Sequence, residues 1–447
     1  MNPELICTAQ DASLLTDLYE LTMAACYVGE GLDDTPASFE LFVRHLPQHF
    51  GYAIAMGLEQ VLDHLEQFCF SLSQIEALQE TGLFASVPDR FWLRLANARF
   101  DGDVWAVPEG TAVFAHEPLL RVEAPFWQAQ VLETYLLNAI NYQTLIATRS
   151  ARLRDAAGPD ASILEFGSRR AFSPQASLWA ARAALAAGLN ATSNVLAALK
   201  LGRNPVGTMA HSLVMGLRAK EGTELQAFQA FHRYFPGATL LIDTYDTVAA
   251  AQQLAQQLEA GTIDVKGVRL DSGDLFTLSQ TVRSLLPGVS IFASGDLDEA
   301  KIVQLRAAGA CIDGYGVGTC LVTGTPVNGV YKLVEIDGIP VMKEASGKAT
   351  YPGRKQIFRS VTSGLWQSDR LGLVTESPTA SEQPLLQLVY KQGQRLSPPT
   401  SLSDIAHRTA DSVAQLPAEV RRVENPLAIA PQISDALKAL TQQAHRR

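Results

Sequence analysis

The sequence predicts a parallel α/β barrel, complete or nearly so, beside an α+β domain assembled from both chain ends. Three observations carry this. Between residues 151 and 324, short apolar runs alternate with amphipathic, Ala- and Leu-rich segments, the rhythm of βα units on a parallel sheet. Six or seven such units follow one another, the count of a barrel. Polar residues come after nearly every run and not at one switch point, which favours the barrel over a doubly wound open sheet, the runner-up.

In the N-terminal part, residues 1–150, helices are expected over Leu14 to Tyr27, Met56 to Phe68 and Phe126 to Ala147, with a hairpin-like stretch from Thr111 to Val122. The barrel, residues 151–324, starts at the strand Ser162 to Glu165. The turn Gly167-Ser168-Arg169-Arg170 leads to Ser173 and Pro174, a helix N-cap and first position, and Gly188 can close that helix. Further strands are expected at Val206 to Ala210, Thr239 to Ile242, Val265 to Leu270, Val289 to Ala293 and Cys311 to Val317. Beyond Thr325, Asp337-Gly338 between two β segments is a hairpin signal. Residues 325 to about 400 are expected to complete the N-terminal domain. The tail, residues 401–447, reads as polar with one helix near Ile433 to Ala444.

Composition narrows the function classes. The 447 residues are 47% hydrophobic and 18% charged, which excludes global disorder. A net charge of −10 argues against a generic nucleic-acid or anionic-membrane binder. It leaves room for an anionic substrate, since a phosphate site needs only a few local cations and N–H groups. No basic n-region opens the chain, and no run reaches the ~20 apolar residues of a membrane span, so a cytoplasmic location is expected. The five cysteines are scattered without metal-ligand spacing and read as buried reduced thiols.

The chemistry gathers where a barrel keeps its active site, at the strand C-terminal ends. Glu165, Arg169, His211, Asp243, Arg269, Asp271, Asp274, Ser294, Asp296 and Thr319 all fall there. Taken singly, His211 reads as a satisfied, partly buried histidine, and the aspartates as N-caps or partners of the arginines. Taken together they do not, because capping alone would not put arginines, a histidine and several aspartates at one end. Arg169 and Arg269 can fork onto phosphate oxygens. Ser294-Gly295-Asp296 and Gly316-Val317-Gly318-Thr319 offer flexible N–H groups for a phosphate cradle. Asp243, Asp271 and Asp274 can hold Mg²⁺ together with substrate phosphates. Period-two alternation puts Arg269 and Asp271 on one face and Lys266 on the other, which argues against a Schiff-base aldolase. His211, at a strand end, can accept a phosphoryl group or act as acid or base. These residues alone describe a barrel enzyme acting on a phosphorylated small molecule, a diphosphate for preference.

At these residues the sequence resembles the nicotinate phosphoribosyltransferase family. The matching stretches are Thr16-Asp17-Leu18-Tyr19-Glu20, Glu165 to Arg170, Gly207 to Ser212, Ile242 to Asp246, Arg269 to Asp274, Ser294 to Asp296, and Gly347-Lys348 with Pro352 to Gln356. The resemblance implies an incomplete α/β barrel packed on an α+β domain formed by both chain ends. It also implies a reaction: nicotinate, 5-phosphoribosyl 1-diphosphate and ATP give nicotinate mononucleotide, diphosphate, ADP and phosphate, through a phosphorylated His211, in NAD salvage. By the same resemblance His211, Asp271 and Arg269 are catalytic, and Asp271 and Asp274 are the magnesium ligands. Phe166 stacks on the pyridine, and Tyr19 of a neighbouring subunit in a homodimer covers its other face. Arg269 holds the substrate carboxylate and Arg169 a phosphate, while Ser294, Gly295, Gly318 and Thr319 cradle the 5-phosphate. Ser212, Asp243 and Asp296 complete the substrate-binding set. Ser193 occupies the place where the related nicotinamide enzyme has an aspartate; a serine can donate to nicotinate, where a carboxylate would repel it. The competing readings are a nicotinamide or quinolinate phosphoribosyltransferase, a non-catalytic nucleotide-binding relative, and an unrelated phosphosugar aldolase or isomerase.

Overall fold

The structure, a computed structural model, describes residues 5–344 and 350–446. Gly347 and Lys348 of the last motif lie outside these. The chain forms two compact units, residues 146–325 and residues 1–145 with 326–447.

The middle unit holds six parallel strands: β1 (Ser162–Glu165), β2 (Ala191–Thr192), β3 (Leu240–Leu241), β4 (Gly267–Leu270), β5 (Ser290–Ala293) and β6 (Gly314–Val317). Their order is β2-β1-β6-β5-β4-β3. The last strand therefore pairs with the first, Val317 beside Glu165, and every other neighbour is sequential except β2 and β3. That is the circular order of a barrel with one seam left open, not that of a doubly wound sheet. Ile163, Val268, Leu270, Ile291, Ala293 and Val317 are fully buried, as expected for parallel strands covered on both faces.

The open seam corrects one expectation. Val206 to Ala210 is not a strand; its only barrel-like bond is the Val206 N–H to the Thr192 carbonyl, 2.9 Å. Pro205, just before the run, has no N–H to give a ladder, and Gly207 lies inside it, so apolar content there does not make a strand. Helices alternate with the strands: α1 (Pro174–Ala186), α2 (His211–Glu221), α3 (Glu224–Tyr234), α4 (Thr247–Glu259), α5 (Leu275–Leu285) and α6 (Glu299–Ala308); α2 and α3, which the sequence did not single out, both fall between β2 and β3. Five of the six start at a capping side chain, namely Ser173, Thr223, Asp246, Asp274 and Asp298. Such caps are worth about 1 kcal/mol each. The exception is α2, where Ala210 is the N-cap and offers no side chain.

The other unit is built on a seven-stranded sheet. Its strand Pro36–Val43 pairs antiparallel with Pro118–Pro125 on one side and Gly329–Ile336 on the other, so both chain ends share one sheet. The predicted hairpin at Asp337-Gly338 is present, both residues taking the left-handed φ (+50° and +71°) that its turn needs. The hairpin expected over Thr111 to Val122 is not. Ala112–Val113 pairs with Ala53–Ile54, while Pro118–Pro125 belongs to the large sheet. The helix expected over residues 126–147 is two, Phe126–Val131 and Glu133–Ala157.

The tail also departs from expectation. It carries Leu402–Ala414 and Ala418–Arg421 besides Asp435–Ala444, and Gln432–Ile433 adds a strand beside Leu365–Leu373. Leu402–Ala414 is integral, since the Ala112 N–H donates to Ser412 at 2.8 Å. Its buried face, Ile405, Thr409, Ser412 and Val413, is half polar, so the segment reads as a solvated tail. The thiols differ too: Cys7 and Cys26 are exposed, the other three partly so, and none is paired. Among the described residues no helix is long and apolar enough to cross a membrane.

A buried charge cluster underlies this unit. Arg359 donates to both oxygens of Asp369, at 2.9 and 2.6 Å, and the Trp366 indole adds a third bond. Glu117 is buried beside this pair, and burial first, then the Asp369 charge, pushes its carboxyl well above the usual range. A carboxyl protonated in the fold but ionised when unfolded contributes stability fully below the ordinary glutamate pKa. That contribution disappears as pH rises through the raised folded value. Glu117→Gln should therefore match the wild type in mild acid and flatten the loss of thermal stability toward alkaline pH. Parallel Tm-against-pH curves for the two proteins would contradict this.

Candidate active site

The strand C-terminal ends are tied into one polar network. Asp243, two residues past β3, accepts through Oδ2 the Asp271 N–H at 2.8 Å and the Ser272 hydroxyl at 2.7 Å. Asp271, just past β4, takes the Ser294 hydroxyl through Oδ1, which brings in the end of β5. Gly295 lies so close that a Cβ would collide with the Asp271 carbonyl oxygen, and its φ is +88°. Asp296 follows at φ +47°. Two successive left-handed residues turn the backbone sharply after a buried strand.

The same rim holds the basic groups. Arg269, the third residue of β4, donates from Nη1 to the Thr208 hydroxyl at 2.6 Å. Its Nε is buried without a hydrogen-bond partner. Burial lowers its pKa, the Asp271 and Asp243 charges oppose that, and Arg169 lowers it further, so the second guanidinium is close enough to be felt. Arg169 itself is exposed, in the turn Ser168–Arg170. His211 is the first residue of α2, and its Nδ1 lies 3.0 Å from the Thr244 hydroxyl. Ser212, next along α2, is exposed.

Phe166 follows β1, with its N–H on the Val317 carbonyl. Its ring sits against Gly316, where a Cβ would come within 2.6 Å of two ring atoms. Only a glycine there leaves room for the ring. Glu165, fully buried, accepts from the Gly167 N–H and the Thr192 hydroxyl, joining the ends of β1 and β2. Burial raises its pKa against those two bonds. The Ser193 N–H bonds the Glu165 carbonyl at 2.9 Å. The cap of the helix Val195–Lys200 is Asn194, not Ser193, whose hydroxyl is not used for that purpose. Gly318 and Thr319 begin the short helix Thr319–Val322 after β6.

Two expected residues are not part of this hydrogen-bonded network. Asp274 caps α5, taking the Phe276 and Thr277 N–H groups and the Thr277 hydroxyl, which hold its carboxyl below the usual range. The capping role expected of it is therefore present. Tyr19 lies in the other unit, on the helix Leu18–Gly29, and is 46% exposed. Burial and the carboxylates of Glu133, Glu20 and Asp17 push its phenol up to about 12. Glu20, fully buried, anchors that helix by accepting from Thr16 and from the N–H and hydroxyl of Thr134. Lys266 precedes β4 and lies against Gly237, at the opposite strand end from these groups. Thr208 and Thr244, which touch Arg269 and His211, were not singled out from the sequence. Their position inside two otherwise recognisable motifs was the available signal.

Comparison with known proteins follows this geometry. Residues 14–141 match the N-terminal domain of nicotinate phosphoribosyltransferase, residues 161–302 the nicotinate phosphoribosyltransferase family, and residues 355–441 its C-terminal domain. A nicotinate phosphoribosyltransferase of Mycobacterium tuberculosis is 40% identical across 97% of this chain and 96% of its own. That of Bacillus subtilis is 37% identical across 93% and 91%, and the human one 32% across 96% and 95%. The crystal structure of human nicotinic acid phosphoribosyltransferase superposes with a TM-score of 0.84 at 30% identity, covering 96% of this chain and 99% of that one.

The rim network gives a direct test on stability. Gly295→Ala needs both a strained φ and relief of the clash with Asp271, and should lower Tm by several degrees. Strain of this kind costs on the order of 1–3 kcal/mol. Gly207→Ala, where nothing lies within 4 Å of the added Cβ, should leave Tm unchanged. Equal unfolding curves for both variants would show that the turn is not held as described.

Proposed function

The chain belongs to the nicotinate phosphoribosyltransferase family, and from that premise we propose that it joins nicotinate to 5-phosphoribosyl 1-diphosphate. The products are nicotinate mononucleotide and diphosphate, with ATP hydrolysis coupled through a phosphohistidine at His211. One observation carries the reading for this chain. Arg269 keeps a buried, unpartnered Nε–H, and a desolvated guanidinium with an unused donor calls for an anion such as the nicotinate carboxylate.

The remaining residues fit the chemistry. The pyridine nitrogen attacks C1 of the ribose as the C1–O bond to diphosphate breaks, the electron pair leaving with the diphosphate. Phe166, fixed on Gly316, supplies an aromatic surface for the pyridine, worth about 0.5–1.5 kcal/mol beyond area burial. Tyr19 of a second copy would close the other face of the ring in a homodimer. Its half exposure and a phenol that stays protonated up to about 12 suit a neutral stacking partner. Ser193, free of capping duty, can donate to the carboxylate and favours the acid over the amide. Ser294, Gly295, Asp296, Gly318 and Thr319 supply the turn backbone for the 5-phosphate, and Arg169 a nearby cation. Ser212 adds a hydroxyl in the first turn of α2.

The donor set also fits Mg²⁺. Asp243 Oδ1 is buried with no donor, a hard oxygen beside Asp271. Among the described residues no group of three metal-ligating side chains forms a ready cage, which suits an ion that takes one or two carboxylates and the substrate phosphates. Asp243 and Asp271 would hold it, and it would neutralise charge on the departing diphosphate. His211 starts an 11-residue helix, so a phosphoryl group on its ring would meet the positive end of the helix dipole. Five unpaired thiols, two of them exposed, suit a reducing cytoplasm.

The test is turnover by the purified chain with 5-phosphoribosyl 1-diphosphate, Mg²⁺ and ATP, offering nicotinate, nicotinamide or quinolinate in turn. Nicotinate mononucleotide should form fastest, and ATP should accelerate the wild type but not His211→Ala. Preference for either other base, or equal ATP stimulation of the variant, would overturn the assignment.

A further inference from the structure

We infer that Thr244 is a positioning residue for His211: its hydroxyl oxygen accepts the Nδ1–H of the imidazole and so directs the phosphoryl group to Nε2. The inference rests on the phosphohistidine reading above and extends it to a specific atom.

The geometry comes first. Nδ1 of His211 and Oγ1 of Thr244 are 3.0 Å apart, and among the described residues the ring has no other hydrogen bond. Both partners sit on fixed backbone. The Thr244 loop is anchored at one end by Asp243, through its bonds to Asp271 and Ser272. At the other end Asp246 caps α4, taking the Ala249 N–H at 2.9 Å. His211 is held by the first turn of α2, where the Leu213 N–H reaches the Ala210 carbonyl at 3.0 Å, and by buried Met209 two residues before it. The contact joins the first turn of α2 to the loop between β3 and α4.

The chemistry then follows from the imidazole. A neutral ring has one N–H donor and one lone pair, and only the lone pair is a nucleophile. Thr244 occupies Nδ1, so an Nδ1–H donated to its oxygen leaves the Nε2 lone pair for ATP. In the forward step that lone pair forms the N–P bond while the bond from the γ-phosphorus to the bridging oxygen breaks, and its electrons leave with ADP. The Nδ1 proton stays on the ring, hydrogen-bonded to the Thr244 oxygen, throughout. In the discharge step water attacks phosphorus, the N–P electrons return to Nε2, and phosphate departs with the water oxygen and its protons. The neutral ring is restored with no proton to relocate. Without the threonine the ring can populate the Nε2–H tautomer, in which the outward nitrogen is blocked.

The experiment compares wild type, Thr244→Ser, Thr244→Val, Thr244→Ala and His211→Ala, each labelled from [γ-32P]ATP and examined by ¹⁵N NMR of the histidine rings. Wild type and Thr244→Ser should show the Nδ1-protonated tautomer and carry label on Nε2. Thr244→Val and Thr244→Ala should lose the tautomer preference and label roughly tenfold or more slowly, the usual scale for removing a group that orients a reactive histidine. The inference is overturned if wild-type His211 is the Nε2–H tautomer or carries label on Nδ1, if Thr244→Val and Thr244→Ala label at the wild-type rate, or if Thr244→Ser is as slow as they are. A wild type that takes no label, or a His211→Ala variant labelled as fully as wild type, would instead bring down the phosphohistidine reading itself. The wild-type tautomer decides the matter even if a variant fails to fold.

Discussion

A single carboxylate oxygen, Oδ2 of Asp243, holds the rim of the barrel together. By accepting the Asp271 N–H and the Ser272 hydroxyl it locks the end of β3 onto the end of β4. Asp271 passes the constraint to Ser294 at the end of β5, and Gly295 closes on the Asp271 carbonyl. Each tie is an ordinary hydrogen bond worth about 1 kcal/mol net, roughly double when charged. Their value lies in order: three loops that would otherwise move independently share one geometry. The network is also deliberately incomplete. Asp243 Oδ1 and Arg269 Nε are buried without partners, a standing cost in the protein alone.

The second constraint is the seam. Strand order closes the barrel everywhere except between β2 and β3, and the chain spends residues 193–239 there on helices. A strand at Val206 to Ala210 would have completed the cylinder and set His211 on a strand end. An extended, Gly- and Pro-containing run instead delivers His211 to the first position of α2. The residue gains a helix N-terminus and a neighbour in Thr244. Departures from local regularity of this kind are where functional positions are expected.

That pattern explains what could be read in advance. Strands β1, β3, β4, β5 and β6 were legible because parallel strands are short apolar runs, and α1 because Ser173 and Pro174 mark its start. Arg269 and Asp271 were legible as one face because side-chain period is two residues. Asp274 was ambiguous because a cap and a metal ligand are the same residue type in the same place, and its Thr277 bonds are visible only in the structure. Thr208 and Thr244 were missed because a threonine declares nothing until its spatial partner is known. The segments 111–122 and 402–414 were misread for a related reason. The first contains two strands whose partners are far away in sequence, and the second buries Thr409 and Ser412, which single-sequence reading takes for solvent-facing.

If the rim works as one network, residues at its two ends must be energetically coupled though each acts through Asp271. A double-mutant cycle of Asp243→Asn and Ser294→Ala, read as kcat/KM for 5-phosphoribosyl 1-diphosphate, measures that coupling. An interaction energy of roughly 0.5–3 kcal/mol is expected for residues in one shared network. Strict additivity of the two single variants would contradict it, and the loops after β3 and β5 would then have to be treated as separate binding elements.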